Sequence, residues 1–195
     1  MESYNPKIYW EKRGGQFKEI KHLDELENLY SFVAPAYDTN KNIKILEVGS
    51  GNGRVYLYLN DKKIANKNNF TMCDFSNSFR KVCYKNTKIY PDSWDGKKLP
   101  YKDNEFDLVI SFSVLLHVLP DDIENFFEEH LRVSKKYCFI ATWYENLDRI
   151  QSKDYCFEHD YYSLFSKNKL KILNDVNCDL VDGKYRRKNW LICKG

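Results

Sequence analysis

Short apolar runs alternate with amphipathic segments along most of this chain. The apolar runs that are typical of buried strands lie at 43–48, 70–73, 107–112 and 137–143. The segments with apolar residues at helical spacing lie at 22–33, 53–60, 77–84 and 121–132. Because strands and helices of this length alternate, the pattern predicts a three-layer, doubly wound α/β fold with a mainly parallel sheet.

The two ends of the chain are less regular. The first 21 residues contain no long periodic segment and are interpreted as a lead-in strap, and the helix that follows is predicted to end near Pro35. A short strand is predicted at 88–90, before Pro91. Beyond the last long strand, the pattern predicts a helix at 161–166 and a closing pair of strands, 169–173 and 189–193, around Gly183.

Length and composition indicate one globular domain. The 195 residues suffice for one well-buried core but not for two full domains, and 43% hydrophobic with 30% charged residues is ordinary for a soluble protein. No apolar run approaches the roughly 20 residues of a membrane span, and the N-terminus lacks the apolar stretch of a secretion signal. We therefore expect a cytoplasmic protein with no membrane contact. Six cysteines without a C-x-x-C pair favour reduced core thiols.

The net charge of +3 is slight, and the basic groups are short. They lie at 97–98, 135–136 and 186–188. Nucleic-acid binding is disfavoured, because it would be better supported by a clustered basic stripe. The group at 186–188 is interpreted as a solvated hairpin end, with contact to a polymer as the alternative.

The segment Ile43–Arg54, IKILEVGSGNGR, carries the most chemical information. Its apolar strand leads through Glu47 into three alternating glycines, which permit a sharp turn and a close approach of backbone N–H groups to a ligand. A dinucleotide fingerprint, G-x-G-x-x-G, would need its last glycine where this chain has Arg54. The pattern E-x-G-x-G-x-G instead resembles the first motif of the class I S-adenosylmethionine-dependent methyltransferases.

Three further segments match that family in order. FTMCDFS places Asp74 at the end of the second strand, and DGKKLP places Asp95 four residues before Leu99-Pro100. The stretch 99–117 resembles the family's turn, fourth strand and following loop. The resemblance covers roughly 43–143, about half of the chain.

This resemblance implies a seven-stranded sheet of the class I methyltransferase type, closed by an antiparallel C-terminal strand. Residues 1–195 would form one methyltransferase domain, with a strap and helix at 1–40, a cofactor-binding core at 41–143 and a substrate-side segment at 144–195. The resemblance also implies that the cofactor is S-adenosylmethionine and that the product is S-adenosylhomocysteine (SAH).

By the same resemblance, Asp74 accepts hydrogen bonds from the ribose hydroxyls, Asp95 and Gly96 contact the adenine, and the segment 111–113 lies beside the sulfonium. One carboxylate can accept both hydroxyls of a diol through its two oxygens. The full set of expected cofactor-binding residues is Glu47, Gly49, Ser50, Gly51, Gly53, Arg54, Asp74, Phe75, Asp95, Gly96 and Ser111.

Candidates for the remaining roles lie near the carboxyl edge of the predicted sheet. His117, shortly after the fourth strand, is the first candidate for a catalytic base, and His159, with Asp160 beside it to orient the imidazole, is the second. The expected acceptor-binding residues are Trp143, Tyr144 and Tyr161. Tyr9, Trp10 and Arg13 are expected to form a lid, with Arg13 or Arg54 on the cofactor carboxylate.

The absence of certain motifs narrows the class of methyl acceptor that we expect. The exit of the fourth strand, SFSV, is not the [DN]-P-P-[YF] of DNA adenine or glutamine methyltransferases, and no Pro-Cys pair supplies a cytosine-attacking thiol. Serines stand at 111 and 113, where magnesium-dependent enzymes place carboxylates. We therefore expect a metal-independent enzyme acting on an oxygen or nitrogen of a small metabolite, such as a sugar or glycan precursor. An RNA or protein methyltransferase and a catalytically silent partner subunit are the alternatives, and the oligomeric state stays open.

Overall fold

Helices and strands alternate through the ranges that the structure, a computed structural model, describes: residues 4–14, 23–146, 155–181 and 185–195. The helices are α1 (Pro6–Arg13), α2 (Leu23–Thr39), α3 (Arg54–Asp61), α4 (Asn77–Thr87), α5 (Ile123–Val133) and α6 (Tyr161–Lys167). The strands are β1 (Ile45–Val48), β2 (Phe70–Cys73), β3 (Phe106–Phe112), β4 (Ser134–Asn146), β5 (Lys171–Val181) and β6 (Tyr185–Cys193). A 3-10 turn, Leu115–His117, follows β3. None of the helices in these ranges is long and apolar enough to cross a membrane.

The strands form one sheet in the order β2-β1-β3-β4-β6-β5. β1 pairs in parallel with β2 and β3, and β3 pairs in parallel with β4, so the carboxyl ends of these four strands share one edge. β6 runs antiparallel between β4 and β5. The predicted α/β class, with a mainly parallel sheet closed by an antiparallel C-terminal strand, is confirmed.

The sheet has six strands within the described residues, whereas the sequence predicts seven. The strand expected at 88–90 does not form, because Lys88 adopts a left-handed backbone conformation (φ 63°) that ends α4 shortly before Pro91. The chain joins the sheet edge slightly later, where Cys73 and Asp92 form an isolated parallel bridge. This bridge fixes the start of the segment that carries Asp95.

Apolar side chains cover both faces of the sheet, which gives the three layers. Successive strand residues point to opposite faces, so Leu46 packs with α5 whereas Ile45 packs with α2 and α3. Large buried side chains on the first face are Phe127, Tyr161, Phe165 and Trp190. Those on the second face include Leu29, Leu59, Met72 and Ile110.

The N-terminal helices differ from the sequence prediction. Helix α1 occupies part of the predicted strap: the Asn5 side chain accepts from the Ile8 N–H at 3.1 Å, and Pro6 stands at the first helical position. Helix α2 continues through Pro35 to Thr39 instead of ending near the proline. The hydrogen bond lost at Pro35 is tolerated because the apolar face of α2 is buried against the sheet.

The closing strands are longer than predicted, and the predicted turn residue, Gly183, lies outside the described residues. Because β6 has a neighbouring strand on each side, Arg187 and Lys188 are only 2% and 9% exposed. The interpretation of 186–188 as a solvated hairpin end is therefore wrong for these two residues.

Candidate active site

A cavity of about 400 Å³ opens at the carboxyl ends of the parallel strands, with α1 along one side. A ligand site is expected at this edge of a doubly wound sheet. The predicted site residues that line the cavity are Glu47, Gly49, Ser50, Gly51, Arg54, Asp74, Phe75, Asp95, Gly96, His117 and Trp143. Trp10 and Arg13, from the predicted lid, line it as well.

The glycine loop turns the chain from β1 into α3. Gly49, Gly51 and Gly53 have φ angles of 77°, 53° and 85°, a region that favours glycine. A Cβ at Gly49 would lie 2.5 Å from a methyl carbon of Val114, and one at Gly53 would lie 2.4 Å from the Thr87 methyl. Gly49 and Gly51 line the cavity, whereas Gly53 lets α3 pack against α4. Gly53 does not line the cavity, which corrects its predicted role as a cofactor contact.

Asp74 is held at the end of β2 by two backbone donors. Its Oδ2 accepts from the Gly51 N–H and its Oδ1 accepts from the Ser76 N–H, each at 2.9 Å. The residue is 6% exposed, and this burial raises the pKa of Asp74 to about 6, against the lowering effect of the two N–H groups. Each carboxylate oxygen has a further lone pair, so the group retains the capacity to accept from a diol.

Asp95 is exposed and Gly96 is half-buried, and both line the cavity. The Asp95 Oδ1 accepts from the Lys98 N–H at 2.9 Å and from the Lys97 N–H at 2.8 Å, and these bonds lower the pKa of Asp95. Gly96 has a φ of 85°, and a Cβ there would have nothing within 4 Å. Asp95 is therefore a fixed, ionised acceptor beside open space.

Glu47 is a buried carboxylate at the cavity wall. It is 2% exposed, and its Oε2 has no hydrogen-bond partner among the described residues. Burial raises the pKa of Glu47 well above its usual range, the Arg54 guanidinium lowers it and Asp74 raises it further. An unsatisfied buried carboxylate oxygen is costly, so this atom is suited to a ligand that brings a donor or a positive charge.

His117 lies in the 3-10 turn and lines the cavity. Its Nδ1 is 2.8 Å from the Tyr155 carbonyl oxygen. Because a carbonyl oxygen only accepts, Nδ1 carries the proton in the neutral ring, and Nε2 is the basic nitrogen. The Trp10 ring packs edge-on against the imidazole at 4.5 Å between centroids, and the Tyr4 hydroxyl donates to the His117 carbonyl at 3.2 Å.

His159 lies outside the cavity lining. Its Nε2 is 3.0 Å from the Leu115 carbonyl oxygen, and burial lowers its pKa. Asp160 does not orient this imidazole as expected, because its carboxylate caps α6 through the N–H and hydroxyl of Ser163. The structure thus places His159 as a support of the turn that carries His117.

Trp143 lines the cavity, but Tyr144 and Tyr161 do not. Successive residues of β4 face opposite sides of the sheet, so Tyr144 packs on the Trp190 ring at 5.7 Å, in the other layer. Tyr161 is fully buried, 5.1 Å from the same ring, with its hydroxyl 3.4 Å from the Thr142 hydroxyl. Tyr161 is a core residue and Tyr144 is a partly buried residue packed against the core, which corrects their predicted role in acceptor binding.

Ser111 also differs from its expected position. It is 1% exposed, its hydroxyl has no hydrogen-bond partner in the described ranges, and it does not line the cavity. Phe112 and Ser113 line the cavity at the exit of β3 instead. The Arg54 guanidinium lies over the Phe112 ring at 4.6 Å and donates to the Ser113 hydroxyl at 3.2 Å.

Glu11 of helix α1 forms hydrogen bonds with residues at the start of α4. The Glu11 carboxylate accepts from the Ser76 hydroxyl at 3.0 Å and from the Ser78 N–H at 3.2 Å. This contact places Trp10 and Arg13 at the cavity. A lid over the site was predicted, but its helical form and its anchor were not, although Asn5-Pro6 is a recognisable helix start.

Arg13 and the unpredicted Tyr155 meet at the rim. The Arg13 guanidinium lies 5.0 Å from the Tyr9 ring centroid and 5.3 Å from that of Tyr155, and the two rings are 4.5 Å apart. Cation–π contact therefore occupies this guanidinium. The arrangement gives no particular support to Arg13 as the ligand of the cofactor carboxylate.

Arg187, in β6, is a further lining residue that sequence reasoning missed. Its Nε donates to the Glu25 carboxylate at 2.7 Å and its Nη2 donates to the Ser113 hydroxyl at 2.8 Å. The signal was the strand period of two: counting back from the buried Leu191 places Arg187 on the same face.

Within the part of the chain that the structure describes, no group of three or more His, Cys, Asp or Glu residues is arranged to hold a metal ion.

Comparison with known proteins identifies a common domain. A family model described as a methyltransferase domain matches residues 46–141. Phosphoethanolamine N-methyltransferase of Plasmodium falciparum (isolate 3D7) is 26% identical to this chain over 162 residues. That match covers 78% of this chain and 60% of the relative's length.

Solved structures share the fold. Magnesium protoporphyrin IX methyltransferase of Synechocystis PCC 6803, solved with bound SAH, matches with a TM-score of 0.69 and 13% identity, over 96% of this chain and 94% of that one. A SAM-dependent methyltransferase of Aquifex aeolicus matches with a TM-score of 0.66 and 16% identity, over 97% of this chain and 99% of that one. At such identities, these structures show the fold alone.

Proposed function

Because the chain belongs to the class I S-adenosylmethionine-dependent methyltransferase family, we propose that it transfers the cofactor's methyl group to an oxygen or nitrogen of a small molecule. The observation that carries the proposal is the convergence of Gly51, Asp74 and Asp95 on one cavity of about 400 Å³. This volume is within the range of small-molecule sites, about 300–1,000 Å³. When bound, the cofactor supplies an electrophilic methyl group on a positively charged sulfonium.

The cavity wall fits this cofactor. Asp74 would accept from the ribose hydroxyls, and Asp95 would accept from the adenine amino group. The unpartnered Glu47 oxygen would accept from the cofactor's ammonium group, and Arg54 would donate to its carboxylate. Each of these contacts matches donor to acceptor, and the buried Glu47 gains the partner that it lacks in the described chain.

His117 is the proposed proton acceptor. Its Nδ1 proton is directed to the Tyr155 carbonyl oxygen, so Nε2 is the nitrogen that would take a proton from a hydroxyl or ammonium acceptor. Trp143 would border the acceptor and help to exclude water. The protein's main contribution would be to hold the acceptor atom in line with the methyl group, and such orientation is worth roughly 7–11 kcal/mol in well-aligned cases.

Nitrogen is the better supported acceptor atom, because the 26% identical relative is a phosphoethanolamine N-methyltransferase. The sugar or glycan precursor expected from the sequence gains no comparable support. Metal-independent transfer stays part of the proposal, since a sulfonium leaving group needs no Lewis acid.

The two alternatives are less well supported. A polymer substrate was suggested by the basic cluster at 186–188, but Arg187 and Lys188 are buried and paired with Glu25 and Asp175. A catalytically silent subunit would bind the cofactor without any turnover of its own, so an activity assay separates it from an enzyme.

The test is transfer of a labelled methyl group from S-adenosylmethionine to a panel of small amines and alcohols. We expect wild-type turnover on at least one compound, and His117→Gln should lower kcat by about 10²-fold or more with SAH affinity within twofold of wild type. His159→Gln is the matched control and should have a smaller effect. SAH binding without transfer to any compound would favour the silent subunit, and normal turnover by His117→Gln would remove the base assignment.

A further inference from the structure

Arg187 is a buried cation at the acceptor side of the cavity. Its backbone pairs with Trp143 of β4, and its side chain is 3% exposed and lines the cavity. A guanidinium removed from water needs compensation by negative charge or hydrogen-bond acceptors. What surrounds this group therefore indicates which ligand it can take.

Two guanidinium groups converge on one neutral oxygen. The Ser113 hydroxyl accepts from Arg187 Nη2 at 2.8 Å and from Arg54 Nη2 at 3.2 Å. Ser113 is held there with a left-handed backbone (φ 61°). The two guanidinium groups repel each other; the carboxylates of Glu25 and Glu47 reduce this repulsion, and an anion beside the guanidinium groups would reduce it further. The arrangement is thus typical of an oxyanion site.

Glu25 orients Arg187 without using up its donors. The Glu25 side chain is fully buried and accepts from Arg187 Nε at 2.7 Å. A guanidinium has five N–H groups, and the bonds to Glu25 and Ser113 use two of them. The others can form the paired N–H···O bonds that a carboxylate or phosphate accepts. Glu25 is accordingly a positioning residue.

The order of the strands places the backbone of Arg187 and the proposed cofactor contacts on opposite sides of β3. The proposed cofactor contacts follow β1 and β2, and Arg54 stands at the start of α3, directly after the glycine loop. Arg187 lies on β6, two strands beyond β3 in the sheet, which corresponds to about 10 Å between backbones. Arg54 is therefore placed for the cofactor carboxylate, and Arg187 for a group on the acceptor.

We propose that Arg187 binds an oxyanion, a carboxylate or phosphate, of the methyl acceptor and so restricts the enzyme to anionic small molecules. The inference rests on the proposed function, because it assigns the acceptor of the same reaction. It adds a specificity-determining residue from β6, outside the segment that the family model matches.

The test uses protein saturated with SAH, so that the cofactor carboxylate already occupies its own site. Acetate and inorganic phosphate, each titrated at constant ionic strength with chloride as the blank, serve as probes of the oxyanion site. We expect one of them to bind one-to-one, and the preferred probe identifies the anion as carboxylate or phosphate.

The variant is the double substitution Glu25→Gln with Arg187→Gln, which removes both charges of a buried pair and leaves neither one unpaired. It should weaken binding of the preferred anion at least tenfold and leave SAH affinity within twofold of wild type. The matched control replaces the neighbouring pair, Lys188→Gln with Asp175→Asn, whose lysine packs on the Tyr144 ring at 4.6 Å, away from the cavity. The control should bind the anion as wild type does.

Arg187→Lys keeps the charge but not the fork of donors, and it should weaken anion binding severalfold in a protein that still folds. Unchanged anion affinity in both Arg187 variants would overturn the inference. Loss of SAH affinity with unchanged anion affinity would do so as well, and would reassign Arg187 to the cofactor. Failure of wild-type protein to bind SAH at all would instead count against the proposed function. The anion titrations can then be repeated without SAH, so a failure of the proposed function and a failure of the anion site remain distinguishable.

Discussion

Asp74 and Glu47 are both buried carboxylates at the cavity, but their surroundings differ. Two backbone N–H groups donate to Asp74, whereas one oxygen of Glu47 has no partner among the described residues. Burial raises the pKa of both groups, to about 6 for Asp74. A ligand that supplies hydroxyl donors to one and positive charge to the other would stabilise both as carboxylates.

SAH binding should therefore depend on pH. The pKa of Asp74 is raised from 3.8 to about 6, so the group is protonated below pH 6 and loses acceptor capacity there. We expect wild-type affinity to fall by about tenfold between pH 7 and pH 5, measured by calorimetric titration. Asp74→Ala should bind more weakly by roughly 1.5–3 kcal/mol at pH 7 and should show less change over this range.

The control for that experiment is Asp38→Ala, which removes an exposed carboxylate paired with Lys41 on the surface. Its SAH affinity and pH profile should match those of the wild type. If Asp74→Ala also matched the wild type, the ribose assignment would be wrong.

His130 predicts a separate pH effect, on stability. The ring is fully buried in α5, its Nδ1 lies 2.8 Å from the Phe126 carbonyl oxygen, and burial lowers its pKa from 6.5 to about 4. The unfolded chain takes up a proton on His130 below pH 6.5, but the folded chain does not until about pH 4. The contribution of His130 to the free energy of unfolding therefore decreases as the pH is lowered from 6.5 to 4. His130 alone should account for a loss of about 2 kcal/mol at pH 5 relative to pH 7, whereas the raised pKa of Asp74 acts in the opposite direction.

Urea denaturation at both pH values gives the total change in stability of each protein, and the wild type should lose about 2 kcal/mol more than His130→Leu between pH 7 and pH 5. Equal pH dependence in the variant and the wild type would mean that His130 is not buried in its neutral form. The carboxylates titrate in both proteins, so their contributions to the pH dependence of stability cancel in the comparison.

At the level of single residues, sequence reasoning succeeded where the signal was local. Asp74 and Asp95 each follow a strand or a turn within a short motif, so their position at the cavity was predictable. Tyr144 was not, because only the pairing of β4 decides which of two adjacent aromatic residues faces the site. Arg187 acts on Ser113, 74 positions away in the chain, and no local pattern encodes that contact.

Among the elements, the packing of α3 on α4 depends on Gly53. Gly53 and Gly96 share a φ of 85°, but a Cβ at Gly53 would lie 2.4 Å from Thr87, whereas a Cβ at Gly96 would have nothing within 4 Å. The pair therefore separates the cost of crowding from the cost of the left-handed backbone.

Gly53→Ala should be less stable than Gly96→Ala by about 1–3 kcal/mol, the usual cost of overpacking. Both variants carry the same backbone strain, so the difference between their free energies of unfolding in urea reports crowding alone. Equal destabilisation would show that α4 moves away at little cost and that Gly53 does not set the distance between the helices.

The elements that sequence analysis identified are those with a strong period. The strands β1 to β4 and helix α5 were predicted because their apolar positions repeat clearly. Helix α1 was missed because none of its residues is buried, so it has no apolar period to detect. The expected strand at 88–90 failed for the opposite reason, since its sequence permits a strand but the left-handed Lys88 prevents one.

Over the whole molecule, two different sets of elements supply the residues that line the cavity. The loops after β1 and β2 supply the proposed cofactor contacts, whereas β4, β6 and α1 supply Trp143, Arg187 and Trp10 around the proposed acceptor. The matched domain, residues 46–141, contains the first group and ends within β4. The fold and the cofactor were predictable from this segment, whereas on the acceptor side Trp143 and Trp10 were predicted and Arg187 was not.

The most direct test of this account is calorimetric titration of the purified chain with SAH, with the oxidised nicotinamide dinucleotide as the control ligand. We predict one-to-one binding of SAH with a micromolar dissociation constant and no binding of the dinucleotide, because Arg54 replaces the glycine that a dinucleotide loop requires. Binding of the dinucleotide alone, or of neither ligand, would contradict it.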